Sequence, residues 1–549
     1  MVMPIFRFAI AQVNPIVGDF VGNLELIKTA CSQASSSGAD LVVFGEMVIS
    51  GYPIEDLAKN ESFLQDSAES LANLAAWLDA NHPNLDVLVG LPLADKNEQS
   101  WSVATNSAVL IRAGRVAGKY DKHHLPNYSV FDEYRIFNSG SDYFSFEVKG
   151  HRIGVVICED IWQEGGPVGH TKAEGIELLC VLNGSPFEIS KADTRVQLVS
   201  NIAKKYNCAV AYSNLVGGQD DLVFDGDSFV VSANGSLVAR GKQFESDLLL
   251  FDFVSANHIS AITSQSVEPA DELWQIWHAL RLGLADYVAK NSFKSVILGL
   301  SGGIDSALCA ALAVDALGKE RVFGVAMPSE YSSQHSLDDA ADLARRLDID
   351  YRIEPIADLV EPFDKQLGLS GLAAENIQAR VRGSLLMALS NSEGHLVLTT
   401  GNKTEVSVGY STIYGDSVGG FAPIKDVPKT LVWELAKWRN RIARELSEIE
   451  PIPENSISKQ PSAELRPGQV DQDTLPDYEL LDALLELYVG QRKSVSEIVA
   501  LGFEPELVSK ISRLVDSAEW KRRQSAIGTK ITAIAFGRDR RLPITNRYR

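Results

Sequence analysis

Strand-like and helix-like hydrophobic patterns alternate along almost the whole chain, and they do so in two different rhythms. From residue 5 to about 255, short β-branched runs (IFRFAIAQV, DLVVFGE, DVLVGLPL, SAVLIRAG, RIGVVICED, ELLCVLNG, CAVAYSNLVG and FVVSAN) are interleaved with helical patterns. Turn signals at AGR (113–115), VKG (148–150) and ANG (233–235) put several runs a hairpin apart, so the sheet they predict is mixed. Two sheets between helix layers suit this pattern. From Ser295 the order becomes regular. SVILGL precedes SGGIDSALCAALAVDALG, VFGVAMPS precedes a helix after Gln334, YRIEPI precedes a helix over Ala373–Ser390, and LVLTTG follows. Repeated strand–turn–helix units imply a parallel sheet with right-handed crossovers. Residues 241–270 lose the first rhythm and Asp271–Lys290 has helical spacing, which places a boundary near 260 and gives an α/β chain of two domains, 1–255 and 256–549. Residues 451–477, rich in Pro, Ser and acid, read as a long loop with little apolar surface to bury.

Composition narrows the class of function. Among 549 residues, 51 are Lys or Arg and 72 are Asp or Glu, a net charge of −21 that disfavours broad contact with nucleic acid or anionic membrane but permits local basic pockets around phosphates. No run reaches the ~18 apolar residues a membrane span needs. The opening MVMPIFRFAIAQV shows no basic segment ahead of its apolar residues, so a cytoplasmic protein is expected. Cys31, Cys158, Cys180, Cys208 and Cys309 show no CxxC spacing, which argues against a disulfide framework or a structural zinc.

Two constellations carry chemistry. In the first, Cys158 follows the apolar run Arg152–Ile157, Glu46 ends LVVFGE, and Lys122 sits in GKYDKHHLPNY after a third strand. A thiol must lose its proton to attack a carbonyl, so it needs a base and an ammonium that stabilises thiolate and oxyanion. In the second, LGLSGGIDS (298–306) follows a strand and opens a helix, where successive N–H groups can face a phosphate. The string lacks both the GKS or GKT ending of a Walker A loop and GxGxxG.

FGEMVISGYPIEDL, YDKHHLPNYSVFDE and GVVICEDIW resemble, in order, the Glu-Lys-Cys motifs of the nitrilase superfamily in its glutaminase form. The resemblance implies an α-β-β-α sandwich in which Glu46 is the general base, Cys158 forms a γ-glutamyl thioester and Lys122 assists, with Tyr128, Ser185 and Lys191 holding glutamine. Gly45 replaces the proline usual before the catalytic glutamate, so a looser backbone is expected there; Tyr52 has an equally good reading as a packing residue. SGGxDS resembles the PP-loop of ATP pyrophosphatases, a Rossmann-like parallel-sheet fold. By that likeness Gly299, Leu300, Ser301, Gly302, Gly303, Ile304, Asp305 and Ser306 bind ATP, with Asp305 serving Mg²⁺. MPSEYSS (327–333), ENIQARVRG (375–383), TTGNKTEVSVGYSTIYGD (399–416), PSAEL (461–465) and KRRQ (521–524) then follow in the order of NAD synthetases. This makes Thr400 an ATP contact, Glu405 a Mg²⁺ and substrate ligand, and Asn376, Tyr410, Ser411 and Lys521 contacts to deamido-NAD. Read by charge alone, Arg380, Arg382 and the basic run 521–523 are solvated helix faces.

Together the motifs resemble glutamine-dependent NAD synthetases. The implied substrates are glutamine, ATP and deamido-NAD, with Mg²⁺ as cofactor, ammonia passed internally between the domains, a homo-oligomer, and neither nucleic acid nor membrane as partner. Two other readings stand beside this one. A nitrilase-type amidase with a merely regulatory C-terminal half conflicts with the intact SGGIDS. A tRNA-modifying PP-loop protein conflicts with a pI near 4.9 and the absence of CxxC near the loop.

Overall fold

The computed structural model describes residues 5–547 apart from 96–103, 264–267, Ala463 and Pro467. It divides into two compact units, Met1–Gln219 with Val223–Glu272 and Asp220–Leu222 with Leu273–Arg549.

The first unit is an α-β-β-α sandwich. One seven-stranded sheet runs in the order His258–Ala261, Asp247–Ser255, Phe6–Gln12, Leu41–Phe44, Asp86–Ala94, Ala104–Arg112, Arg115–Asp121. A six-stranded sheet runs Leu237–Arg240, Phe229–Val231, Ala209–Asn214, Leu178–Asn183, His151–Ile157, Ser145–Val148. Period-two alternation sends Phe6, Phe8, Ile10, Leu41 and Val43 into a core shared with Val155, Val181, Ala211 and Phe229 of the second sheet. The intervening Ala9, Ala11, Val42 and Phe44 face Ile27, Ala30, Leu71 and Leu74 of the helices Phe20–Ser36 and Glu61–Asn81. Two of the anticipated turns close hairpins through paired left-handed residues, Ala113 with Gly114 and Lys149 with Gly150.

One expectation fails here. Residues 247–255 are a strand pairing antiparallel with the whole of Phe6–Gln12, and His258–Ala261 adds to its edge. Leu249, Phe251 and Phe253 are buried, whereas Asp252 turns outward to Arg7, 2.8 Å away, and that acid masks the pattern in the sequence. The first unit therefore extends past residue 255 to Glu272.

The second unit holds a parallel sheet ordered Asp350–Ile353, Val322–Ala326, Val296–Gly299, Leu396–Val397. Helix Ile304–Leu317 is buried over most of its circumference, and Leu386 of helix Leu372–Glu393 packs on Ile297, Val325 and Val397. A separate helical core forms around Leu481, Leu485, Ile498, Val508, Ile511 and Val515, none of it anticipated. Nor is the expected loop 451–477 structureless. It contains the helix Glu454–Ser458 and buries Ile452, Ile457 and Leu475, though Ala463 of PSAEL and Pro467 lie outside the described residues. Among the described residues no helix is long and apolar enough to cross a membrane.

Candidate functional site

Strand ends in the first unit bring its charged residues together. Glu46, Lys122 and Cys158 are all buried. The Lys122 ammonium lies 2.8 Å from Glu46 Oε1 and 2.8 Å from Glu133 Oε2. Glu46 also accepts from Asn106 Nδ2 at 2.6 Å and from the Gly184 N–H at 2.8 Å, so both oxygens are held. Cys158 leaves the strand His151–Ile157 with φ of 43°, a left-handed position that costs a non-glycine residue about 1–3 kcal/mol. That strain is sustained by Asp160, whose carboxylate accepts from the Ile157 N–H (3.1 Å), the His124 N–H (2.8 Å) and Tyr120 Oη (2.7 Å), tying the cysteine turn to the segment after Lys122.

The electrostatics follow from burial. One ammonium cannot balance two buried carboxylates, and desolvation pushes Glu133 up to about 7 against the pull of Lys122. Burial, reinforced by Glu46, holds the Cys158 thiol well above its ordinary range, while Lys122 opposes the rise. The thiol is thus protonated at rest and needs a base. Glu133 was not assigned a role in the sequence, although it stands in the quoted YDKHHLPNYSVFDE; Asn106 and Asp160 carry no signal of their own. Replacing Glu133 by Gln should lower glutamine kcat/KM by about 10²-fold or more, because Lys122 loses its second anchor; steady-state glutaminase assays check this.

The residues expected to hold glutamine are distributed less tightly. Tyr128 is half exposed and donates to Glu159 Oε2 at 2.7 Å, within electrostatic reach of Cys158. Ser185 is buried beside Gly184, and Lys191 begins the helix Lys191–Tyr206. Tyr52 is buried and donates to Glu133 Oε1 at 2.7 Å, so it packs in the core and also reaches the carboxylate that shares Lys122. Gly45 is not loosely held. A Cβ there would sit 2.7 Å from Leu215 Cδ2 and 3.0 Å from the Asn183 carbonyl, the same carbonyl that accepts from the Glu46 N–H at 3.2 Å.

In the second unit the loop after Val296–Gly299 opens a cleft of about 980 Å³. Every residue expected to bind ATP or deamido-NAD lines it except Gly302. Gly302 has φ of 77° and packs on Ser336, so it shapes the turn from behind. Gly303 precedes helix Ile304–Leu317 without a side-chain cap, which leaves the first-turn N–H groups for a ligand. Asn402 links the two carboxylates, donating to Asp305 Oδ1 at 2.8 Å and capping the helix that carries Glu405. Between them lies buried Lys429, ion-paired with Asp305 and 3.7 Å from Glu405 Oε1. Neither Asn402 nor Lys429 was singled out from sequence; Asn402 had a readable signal, the capping-box spacing NKTE. Burial, then Asp305, pushes Glu405 up to about 8.

The residues expected to meet deamido-NAD are held by contacts of their own. Asn376 accepts from Thr412 Oγ1 at 2.7 Å, Tyr410 donates to Asp471 at 3.2 Å, and Lys521 donates to the Gly409 and Ser411 carbonyls at 2.8 Å each. The solvated-face reading fails for Arg382, which lines the cleft and donates to the Met327 carbonyl, and for Arg522, buried against the Ser407 and Val515 carbonyls. Glu464 of PSAEL reaches Ser333 and Ser336, which puts this segment at the cleft rim.

Carbon-nitrogen hydrolases match residues 7–261 and NAD synthases match 276–525. Two curated proteins called glutamine-dependent NAD(+) synthetase are each 43% identical: that of Acinetobacter baylyi over 100% of this chain and 99% of its own, and that of Synechocystis sp. over 99% of each. The chain belongs to the glutamine-dependent NAD(+) synthetases. A solved family structure, from Acinetobacter baumannii in complex with ADP, is 41% identical, covers 99% of both chains and superposes with a TM-score of 0.78. One from Cytophaga hutchinsonii, 22% identical with a TM-score of 0.83, shares the fold. The match 276–525 falls inside the second compact unit, and the match 7–261 falls in the first except for Asp220–Leu222.

Proposed function

We propose that the chain amidates deamido-NAD to NAD, cleaving ATP to AMP and pyrophosphate and drawing ammonia from glutamine. The observation carrying this reading is the presence in one chain of Cys158 on a strained turn beside the buried Glu46–Lys122 pair, and of the Ser301–Ser306 loop at the mouth of a nucleotide-sized cleft.

In the first unit Glu46 takes the Cys158 proton as sulfur attacks the glutamine amide carbon. Lys122, held cationic by Glu46 and Glu133, faces the developing oxyanion. Glu46 returns the proton to the departing ammonia, leaving a γ-glutamyl thioester. Water then gives a proton to Glu46 and attacks the thioester, releasing glutamate and restoring the thiol. Tyr128, Ser185 and Lys191 hold the amino acid end of the substrate.

In the second unit the nicotinate carboxylate oxygen of deamido-NAD attacks the α-phosphorus of ATP, and pyrophosphate leaves onto the N–H groups of the Gly303–Ser306 turn. Ammonia attacks the acyl-adenylate, AMP departs, and the surplus proton is lost to solvent. A carboxylate repels nucleophiles, and adenylation removes that barrier. Asp305 and Glu405 fit Mg²⁺. They present carboxylate oxygens in a buried pocket, where desolvation and then the Asp305 charge raise Glu405 and Lys429 is held between them. Such oxygen donors are the kind Mg²⁺ would take, and Asp305 and Glu405 would hold it beside the phosphate loop. When bound, Mg²⁺ neutralises charge on the leaving pyrophosphate. Lys429 is placed to pair with ATP phosphates once Asp305 and Glu405 have a cation.

The deciding assay supplies ATP, Mg²⁺, glutamine and deamido-NAD together and measures NAD, AMP and pyrophosphate. Equal amounts of the three products are expected, and AMP without NAD would count against the proposal. The segment 451–477 meets the cleft through polar contacts, Glu464 and Lys459 with Ser336 and Asp471 with Tyr410. Its amides should therefore gain protection from hydrogen exchange when deamido-NAD and an ATP analogue bind. Unchanged exchange would mark it as a fixed connector.

A further inference from the structure

Arg195, on the helix Lys191–Tyr206, is completely buried, where a guanidinium is tolerated only if its donors are used. Its Nη1 donates to both oxygens of Asp225, at 2.8 and 2.7 Å. Its Nη2 is given to two backbone carbonyls, Ser185 at 3.0 Å and Pro186 at 2.8 Å. Nε is left buried with no partner. A guanidinium present only to neutralise a carboxylate would turn side-on, as Arg240 does in the same unit, where Nε and Nη2 meet the two oxygens of Asp227. Arg195 forgoes that arrangement, and what it holds instead is a stretch of backbone.

That stretch is where the site converges. The Gly184 N–H donates to Glu46 Oε2 at 2.8 Å. The Ser185 N–H donates to Asn214 Oδ1 at 2.9 Å, and Asn214 Nδ2 reaches the Ser185 carbonyl at 3.2 Å and Asp225 Oδ1 at 3.3 Å. Arg195, Asp225 and Asn214 thus form one buried clamp on Ser185 and Pro186, next in the chain to the Gly184 that meets Glu46.

We propose that Arg195 is a positioning residue for glutamine hydrolysis: by gripping the Ser185 and Pro186 carbonyls it sets the Gly184 N–H against Glu46 and Ser185 against the substrate. This rests on the glutaminase reading above. A displacement of about 1 Å in such a segment is enough to cost about 10²-fold in rate. Arg195→Lys retains a cation for Asp225 but cannot also reach two carbonyls. It should lower glutamine kcat/KM by about 10²-fold, with kcat falling and KM rising, while ammonium-driven synthesis stays near wild type and the thermal midpoint falls, because two buried carbonyls lose their donor. The double substitution Arg195→Met with Asp225→Leu removes both charges and refills the site with apolar groups, so it should recover stability without recovering glutaminase. If it recovers both, or if Arg195→Lys hydrolyses glutamine at the wild-type kcat and KM, the positioning role is overturned and Arg195 is only a core ion pair. An inactive wild-type chain overturns the glutaminase reading itself; an active wild type beside an equally active Arg195→Lys overturns this inference alone.

Discussion

Replacing Cys158 by alanine abolishes NAD synthesis from glutamine, by roughly 10⁴-fold or more, and leaves synthesis from added ammonium salt near the wild-type rate. The thiol lies in the first unit and the SGGIDS cleft in the second, so the substitution removes only the ammonia supply. The side chain is small and buried, and alanine keeps the same β-carbon in the same left-handed position, so the substitution adds no backbone strain and exposes no charge. Glu46→Gln should behave alike, because base and nucleophile act as one unit and their losses do not add. Parallel assays with glutamine and with ammonium chloride decide the matter. Loss of both activities in a folded variant would mean that the division of labour is wrong.

Asp305→Asn and Glu405→Gln have the opposite signature. Each removes a carboxylate proposed to hold Mg²⁺ against ATP, and each should suppress synthesis from either nitrogen source by about 10²–10³-fold while basal glutamine hydrolysis persists. Asp305 is the more informative. It binds Lys429 and accepts from Asn402, so asparagine keeps the side chain's volume while removing the charge and one of the two acceptors. Titrating Mg²⁺ should show a raised requirement in both variants. Normal ammonium-driven turnover by Asp305→Asn would remove the metal assignment.

Much of this is legible in the sequence. The β-branched runs predicted strands that the structure contains, because period-two alternation is imposed by the need to bury one face of each sheet. Strand ends carrying Glu46, Lys122 and Cys158, and the glycine pair before Asp305, marked both sites, since chemistry of these kinds demands particular residue types where a strand emerges. Where local pattern and long-range pairing diverge, sequence was silent. The Asp247–Ser255 strand looked irregular because Asp252 answers Arg7, 245 residues away. Segment 451–477 looked unfixed because its anchors, Glu464 on Ser333 and Ser456 on the Gly302 carbonyl, are distant partners rather than a local apolar stripe.

Residue type and order by themselves determined the two α/β units and singled out Glu46, Lys122, Cys158 and the loop Ser301–Ser306, because each rests on short-range periodicity or on a motif a few residues long. Only tertiary structure decided that Glu133 shares Lys122 with Glu46, that Lys429 lies between Asp305 and Glu405, and that Arg195 grips the backbone behind Ser185. Charged side chains of this kind look in sequence like any solvated surface. They acquire a role only when folding removes them from water and leaves a partner from another element as the one way to satisfy them.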